Sequence, residues 1–283
     1  MSKLTLGLIG IFILLILFIS VSFTAKFLFK QHTNNEVKGF FNNIENHGEI
    51  IIKEDIKKLP KNVQLWLEYS GIVGKEKITS VRLKQKAYMR LEKDKSWMEV
   101  EAEQYFKTEE PGFVWNANIK MVPLIHISGR DKYNKGKGNM LIKPLSLFTI
   151  ADSKGREIDQ GSLLRYLAEM VWFPTASLND YLTWEEIDKY NARVTMNYKG
   201  IKASGIFTFN DKNQIINFEA QRYGEFNGEY RLETWSIPIR NYKEFEGIKI
   251  PTKGDVTWKL NSGDFNWFNF EIIEVEYNKL IPY

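Results

Sequence analysis

The chain has 283 residues, 43% hydrophobic, 14% aromatic and 26% charged, with a net charge of +4. It has no cysteine and three histidines. That excludes disulfides, zinc–thiolate sites, iron–sulfur clusters, a cysteine nucleophile and a cysteine-linked lipid, and makes a His-rich metal site improbable. The length supports a sizeable core without staples, and so mild a charge does not mark a nucleic-acid binder.

The average hides an asymmetry. Residues 4–25, LTLGLIGIFILLILFISVSFTA, carry no charge. At about 1.5 Å per helical residue the run is long enough to cross a hydrocarbon core of roughly 30 Å. Lys3, Lys26 and Lys30 are the only charged side chains in the first 30 residues, and without them the balance is 36 basic against 35 acidic. A signal peptide has a shorter apolar stretch and a small-x-small cleavage site, for which Ser22 and Thr24 are a poor match. An uncleaved anchor is therefore favoured over a signal peptide. It is also favoured over a buried core helix, because the segment is apolar all round at the very N-terminus. The positive-inside count sets Lys3 and the amino terminus against Lys26, Lys30 and Lys38 and does not by itself favour an external domain. The very short N-terminal tail does point to one, so the expectation is a single-pass cell-membrane protein with its soluble domain outside the cytoplasm.

We divide the chain into a tail (1–3), an anchor (4–25), a juxtamembrane stalk (26–54) and one β-rich domain (55–283). The stalk is rich in Asn, a poor helix former, and is expected to hold a short helix around Val37–Ile44. His32 and His47 are expected there as exposed loop residues. Leu59-Pro60 then opens KNVQLWLEYSG, in which Val63, Trp66, Leu67 and Ser70 share one helical face and Gly71 is a natural stop.

After Lys75 the period changes from 3.6 to 2. VRLKQKAYMRL and WMEVEAEQYF alternate apolar and charged residues, as half-buried strands do. Neighbouring strands would set Arg82, Lys84 and Lys86 against Glu99, Glu101 and Glu103, a charge ladder on a wet face worth about 0.2–1 kcal/mol per pair. Strands over Gly112–Lys120, Leu124–Tyr133 and Asn139–Ile150 follow. NKGKGN between the last two is a hairpin turn, since neither the GK[ST] of a P-loop nor a helix after Gly138 is present. IDQGS then leads into LLRYLAEMVWFP, a helix over Gly161–Phe173 with Leu164, Leu167, Ala168 and Val171 as its stripe, capped by Asp159 or Ser162 and ended by Pro174. A shorter helix is expected over Trp184–Tyr190. The last 90 residues return to period 2, with turns at Lys199-Gly200, Asn210–Asn213, Phe226–Gly228, Glu246-Gly247 and Ser262-Gly263.

This pattern predicts a mainly β chain with a few helices (α+β) and ten or eleven antiparallel strands. Two helices are too few to cover two sheets. The expected form is therefore one curved antiparallel sheet, a half-open β-barrel, wrapped around the helix Gly161–Phe173 and preceded by the N-terminal transmembrane helix. A β-sandwich is the alternative.

RLKQKAYMR, PGFVWNANI, GRDKYNKGKGNM and EIDQGSLLRYLAEMVWFPTASL together resemble a bacterial family of uncharacterised proteins known as a domain of unknown function. The resemblance covers roughly Pro60 to Tyr277 and implies no activity. The layout also looks like the lipoprotein-carrier (LolA-like) half-barrel group, whose members hold acyl chains or other apolar ligands. That likeness implies a lipid-like ligand at the level of fold alone.

The candidate ligand-binding residues are Arg130, Asp131, Tyr133, Arg165, Glu169 and Trp172. Arg165 and Glu169 are four apart beside the apolar stripe and could meet Arg130 and Asp131 as a buried polar network. Such a network fixes the helix against the sheet, binds a polar headgroup or, least in keeping with the pattern, performs acid/base chemistry. His126 in LIHISG reads as a satisfied sheet histidine. Phe265, Trp267, Phe268 and Phe270 read as core or membrane-proximal packing. No serine-hydrolase or zinc-protease motif is present, and nothing selects a carboxylate pair as a glycosidase would need. The sequence thus points to a non-enzymatic, membrane-anchored protein that takes an apolar or amphiphilic ligand in a half-barrel and uses no metal or cofactor. A self-filled partner-binding module and a hydrolase of envelope material are its rivals.

Overall fold

The computed structural model describes residues 2–42, 44–45, 48–122 and 125–283. His47 and Leu124, the expected start of a strand, lie outside the described residues.

The apolar N-terminal run does not end in a stalk. It continues as one helix, α1, over Lys3–Phe41, long and apolar enough to cross a membrane. The Asn-rich stretch stays helical because its far end has something to pack on. Val37, Phe40 and Phe41 are buried against Tyr105 and Val114 on the outer face of the sheet, and tertiary burial of this kind overrides weak local propensity.

Two short helices follow, α2 over Lys53–Ile56 and α3 over Lys61–Ser70. Pro60 sits at φ −52° as the residue before α3, and Gly71 stops the helix in the left-handed region at φ 79°. Val63, Trp66 and Leu67 are buried, with Trp66 stacked 6.4 Å from Phe207.

The first half of the sheet comprises β1 (Ser80–Met89), β2 (Met98–Lys107), β3 (Gly112–Val122), β4 (Ile125–Asn134), β5 (Lys137–Pro144) and β6 (Ala151–Ser153). The strand expected over Asn139–Ile150 ends at Pro144, because Leu145 and Ser146 take positive φ values of 52° and 61°. The helix α4 (Arg156–Glu169) then runs through 3₁₀ turns at Met170–Trp172 and Pro174–Leu178 into the second half. That half is β7 (Leu182–Asp188), β8 (Asn191–Tyr198), β9 (Ile201–Phe209), β10 (Ile215–Phe226), β11 (Glu229–Phe245), β12 (Ile248–Leu260) and β13 (Gly263–Tyr277). Four hairpins turn on two residues of positive φ: Lys135-Gly136, Lys199-Gly200, Asn227-Gly228 and Glu246-Gly247. Their twist matches that of the flanking strands.

The residues Trp184–Tyr190, expected as a helix, are mostly strand. Their true period is 2: Trp184 stacks 5.9 Å from Phe207 on the inside, while Glu185 pairs with Arg193 of the next strand at 2.8 Å on the outside.

Among the described residues all thirteen strands form one sheet in the order β6-β5-β4-β3-β2-β1-β13-β12-β11-β10-β9-β8-β7. Each half is a meander, and the antiparallel pair β1–β13 joins them. The half-barrel expectation therefore holds, and the sandwich does not. Helix α4 packs on β5 near one edge and on β9 and β10 near the other. A single sheet can touch one helix from both sides only by curling around it.

The helix starts five residues earlier than expected. Neither Asp159 nor Ser162 caps it; Gly155 precedes it without a side-chain bond. Asp159 instead lies buried in the first turn, accepting from the Gly138 N–H at 2.7 Å and from Lys137 Nζ at 2.9 Å. β5 comes so close that a Cβ on Gly138 would stand 2.6 Å from both Ile158 O and Ser162 Oγ.

The outer charge ladder exists in part: Lys84 is opposite Glu103 and Lys86 opposite Glu101, but Arg82 faces Tyr105 and Glu99 faces Tyr88. The ion pairs run elsewhere. Arg82 bonds Glu276 and Lys84 bonds Glu274 of β13, Lys120 bonds Glu99 and Glu101, and Lys30 of α1 takes Glu103. β1 lies between β2 and β13 and β2 between β1 and β3, so each charge has a second strand to pair with.

Candidate functional site

The concave side of the sheet and the C-terminal half of α4 enclose a cavity of about 260 Å³. Its wall is mostly apolar, with Trp115, Trp172, Trp235, Trp267, Phe218, Phe268 and Phe270 contributing rings and Met89, Ile119 and Ile239 filling between them. Trp267, Phe268 and Phe270 all reach it although strict alternation would send Trp267 outward. The register of β12 against β13 shifts between Val256 and Thr257, and such a bulge re-aims a side chain.

One wall carries polar groups. Alternation on β4 turns Asp131 inward, and the i, i+4 spacing on α4 presents Arg165 and Glu169 to it. Arg165 Nη1 donates to Asp131 Oδ2 at 2.6 Å and Arg165 Nε to Glu169 Oε1 at 2.9 Å. Gln104 Nε2 donates to Glu169 Oε2 at 2.7 Å, Gln85 Nε2 to Gln104 Oε1 at 3.3 Å, and Trp115 Nε1 to Gln85 Oε1 at 2.9 Å. The Arg165 guanidinium lies 4.9 Å from the Phe113 ring centre and 5.0 Å from that of Trp115. Burial opposes the charge on Arg165, yet Glu169 and Asp131 hold it above its ordinary value. Burial raises the Glu169 carboxyl above its ordinary 4.5 despite Arg165, with the Asp131 charge adding to the rise.

Arg222 of β10 completes this wall. It follows Phe218 and Ala220 on the inward face. Its Nε donates to Gly161 O at 3.3 Å, and its guanidinium sits 4.8 Å from the Trp235 ring and 5.7 Å from that of Trp258. Among the described residues no carboxylate forms an ion pair with it, and burial pushes it down to about 10. Strict alternation along IINFEAQRY would have placed Arg222 on the buried face with Phe218. Gln85 and Gln104 sit likewise on inward positions of β1 and β2.

The structure thus brings together Asp131, Arg165, Glu169 and Trp172, and separates two of the six expected residues from them. Arg130 borders the cavity, but its guanidinium turns to the opposite face of β4. There Arg130 Nε meets Glu36 Oε2 of α1 at 3.3 Å, so it does not join the network. Adjacent strand residues point to opposite faces, so Arg130 and Asp131 could not both enter it. Tyr133 is inward but lies deeper in the core, its ring 6.4 Å from Phe113, and does not line the cavity. His126 is a partnered sheet residue, its Nε2 3.1 Å from Ser146 Oγ. Among the described residues no three His, Asp or Glu side chains converge in a way that could hold a metal ion.

Residues 49–270 match the model of a family of unknown function, DUF6544. This agrees with the resemblance carried by the quoted motifs, which spanned Pro60 to Tyr277. No curated protein matches the sequence. Several solved structures are similar in fold at low identity. One, a domain described as an outer membrane lipoprotein-sorting protein from Vibrio parahaemolyticus, shares 8% identity over 70% of this chain and 85% of its own, with a TM-score of 0.40. A DUF1329 family protein from Desulfovibrio piger shares 9% over 77% and 92%, at 0.45. A LolA superfamily protein from Nitrosomonas europaea shares 11% over 77% and 94%, at 0.42.

Proposed function

We propose that this chain, which belongs to the DUF6544 family, is a non-enzymatic binder of an amphiphilic, lipid-like ligand, tethered to the cell membrane by residues 4–25 with the β domain outside the cytoplasm. The observation that carries the reading is the cavity: about 260 Å³ lined by aromatic and aliphatic side chains, with one cation, Arg222, that has no carboxylate partner among the described residues. An apolar pocket with a few convergent polar groups is the usual form of a small-molecule site. The apolar wall takes the hydrocarbon part of the ligand. Arg222 takes an anionic or oxygen-rich headgroup, because a planar guanidinium whose terminal N–H groups have no hydrogen-bond partner among the described residues favours carboxylate or phosphate.

Binding is favoured over hydrolysis because the two cavity carboxylates, Asp131 and Glu169, are both bonded to Arg165, and Gln104 also donates to Glu169. A self-filled core is disfavoured by the open space itself.

The test is native mass spectrometry of the full chain, purified from cells and released from nanodiscs. The wild type is expected to carry a bound species. Gly129 lines the cavity, and a Cβ there meets only ordinary contacts, the nearest Trp115 Cζ3 at 3.7 Å. Gly129→Leu therefore fills the space and should expel the ligand. Arg222→Met should weaken retention of an anionic ligand while leaving a neutral one bound. A wild-type chain with no bound mass, or Gly129→Leu retaining as much as wild type, overturns the reading.

A further inference from the structure

A second apolar surface lies outside the cavity, at one end of the sheet. The start of β2, the end of β3, the start of β4 and the end of β5 meet there: Glu99 is opposite Lys120, and Leu145 N donates to His126 O. Their flanking residues include Trp97, Met121, Val122, Ile125, Phe148 and Ile150, all exposed, with Val122 at 56%, Phe148 at 63% and Ile150 at 65%. Exposed apolar groups gathered at one place mark an interaction surface, whereas scattered ones do not.

What covers this tip follows from α1. Trp97, Met121, Val122 and Ile125 share a groove of about 880 Å³ with Leu15, Ile19 and Phe23 of the helix, and Lys26, Glu99 and Lys120 line it as well. The tip therefore stands level with the charge-free part of α1. From Leu15 to Lys26 the helix rises about 16 Å at 1.5 Å per residue. The next groove along the helix shares Lys26 and is lined by charges of both signs, Lys30, Lys84 and Lys86 with Glu101 and Glu103. A zone of charged side chains that follows an apolar one along the helix suits a headgroup layer, as does a tryptophan at the boundary.

We propose that this tip is a bilayer-inserting surface whose partner is the leaflet from which α1 emerges. The proposal rests on the reading that α1 spans a membrane, and adds that the β domain is sunk into that membrane beside it. The consequence is a route for the ligand. Met89 closes β1, Ile119 lies near the end of β3 and Ile142 near the end of β5, and all three line the cavity. The cavity wall thus continues towards the strand ends that enter the leaflet, and an amphiphile can pass between bilayer and cavity without crossing water.

The chain has no cysteine, so one introduced cysteine carries a unique label. Full-length Leu14→Cys, Val122→Cys, Phe148→Cys and Lys212→Cys variants are labelled with an environment-sensitive fluorophore and reconstituted into phosphatidylcholine vesicles containing spin-labelled lipid. All four positions are exposed on the protein, so folding is not at stake. Labels at 14, 122 and 148 are expected to shift to the blue and lose most of their emission to the quencher, while the label at 212, in the β9–β10 turn, keeps both. If position 14 is quenched but 122 and 148 behave like 212, the inserted tip is overturned and the spanning helix survives. If position 14 is not quenched, the spanning helix and the inserted tip fall together.

Discussion

Arg165 of α4 donates to Asp131 of β4 across 2.6 Å, inside the curl of the sheet. This bond and the 2.9 Å contact to Glu169 surround one guanidinium with two carboxylates. Removing the cation leaves both without their ion-pair partner, Glu169 keeping only the Gln104 bond, and breaking a buried pair costs about 3–5 kcal/mol. Arg165→Met should lower the melting temperature sharply, while Asp131→Asn should cost less because Arg165 keeps Glu169. Equal melting of Arg165→Met and wild type would show that the network does not secure the helix.

Glu169 gives stability a distinctive pH dependence. Its folded carboxyl titrates above the ordinary 4.5 because of burial. Below 4.5 both folded and unfolded states hold the proton. As pH rises from there to the raised value, the unfolded state releases it first, so this group's contribution falls and then levels off. Glu169→Gln should abolish that fall. The measurement is the difference between denaturation curves of wild type and variant across the acid range. A difference that stays flat with pH would contradict the raised carboxyl.

The approach of β5 to α4 requires glycine at position 138. A Cβ there meets the Ile158 carbonyl oxygen and Ser162 Oγ at 2.6 Å, and the carbonyl is backbone that cannot swing aside. Gly138→Ala should destabilise by about 1–3 kcal/mol through overpacking and loosen the Asp159–Gly138 bond. Urea unfolding checks the first effect, and hydrogen exchange of the Gly138–Asn139 region checks the second.

The docking of α1 is a separate unit of packing. Phe40 is buried against the outer face of the sheet, and Glu36 bonds Lys132 at 2.6 Å on the same side. Truncating a buried Phe costs up to about 3–5 kcal/mol. Phe40→Ala should therefore speed amide exchange over residues 33–41 while leaving the inner face of β9 protected. Uniform loss of protection would mean that α1 and the barrel unfold together.

Much of the fold was legible. Helix α3 was marked by Pro60, the Val63–Trp66–Leu67 face and Gly71, and four turns by a residue paired with glycine. The failures have physical causes. The 26–54 segment was read as a stalk because Asn is a poor helix former, yet Val37 and Phe40 find a sheet to cover. Trp184–Tyr190 was read as helix because the segment is too short to separate the two periods, and pairing with β8 decided the matter. At the site, Asp131, Arg165, Glu169 and Trp172 were named from spacing on one helix and one strand. Alternation from Phe218 puts Arg222 on the inward face of β10, but only the curl of the sheet brings that strand, more than fifty residues beyond the helix, to the same cavity.

The sequence by itself determined where the chain is apolar enough to cross a membrane, which segments alternate with period 2, and where the backbone turns. These follow from residues within a few positions of one another. The tertiary structure decided which charges meet. Lys84 faces Glu103 in register but bonds Glu274, Arg130 turns outward to Glu36, and Arg222 sits against the Trp235 and Trp258 rings. Those partners are brought together by sheet order and curvature, which no local pattern encodes.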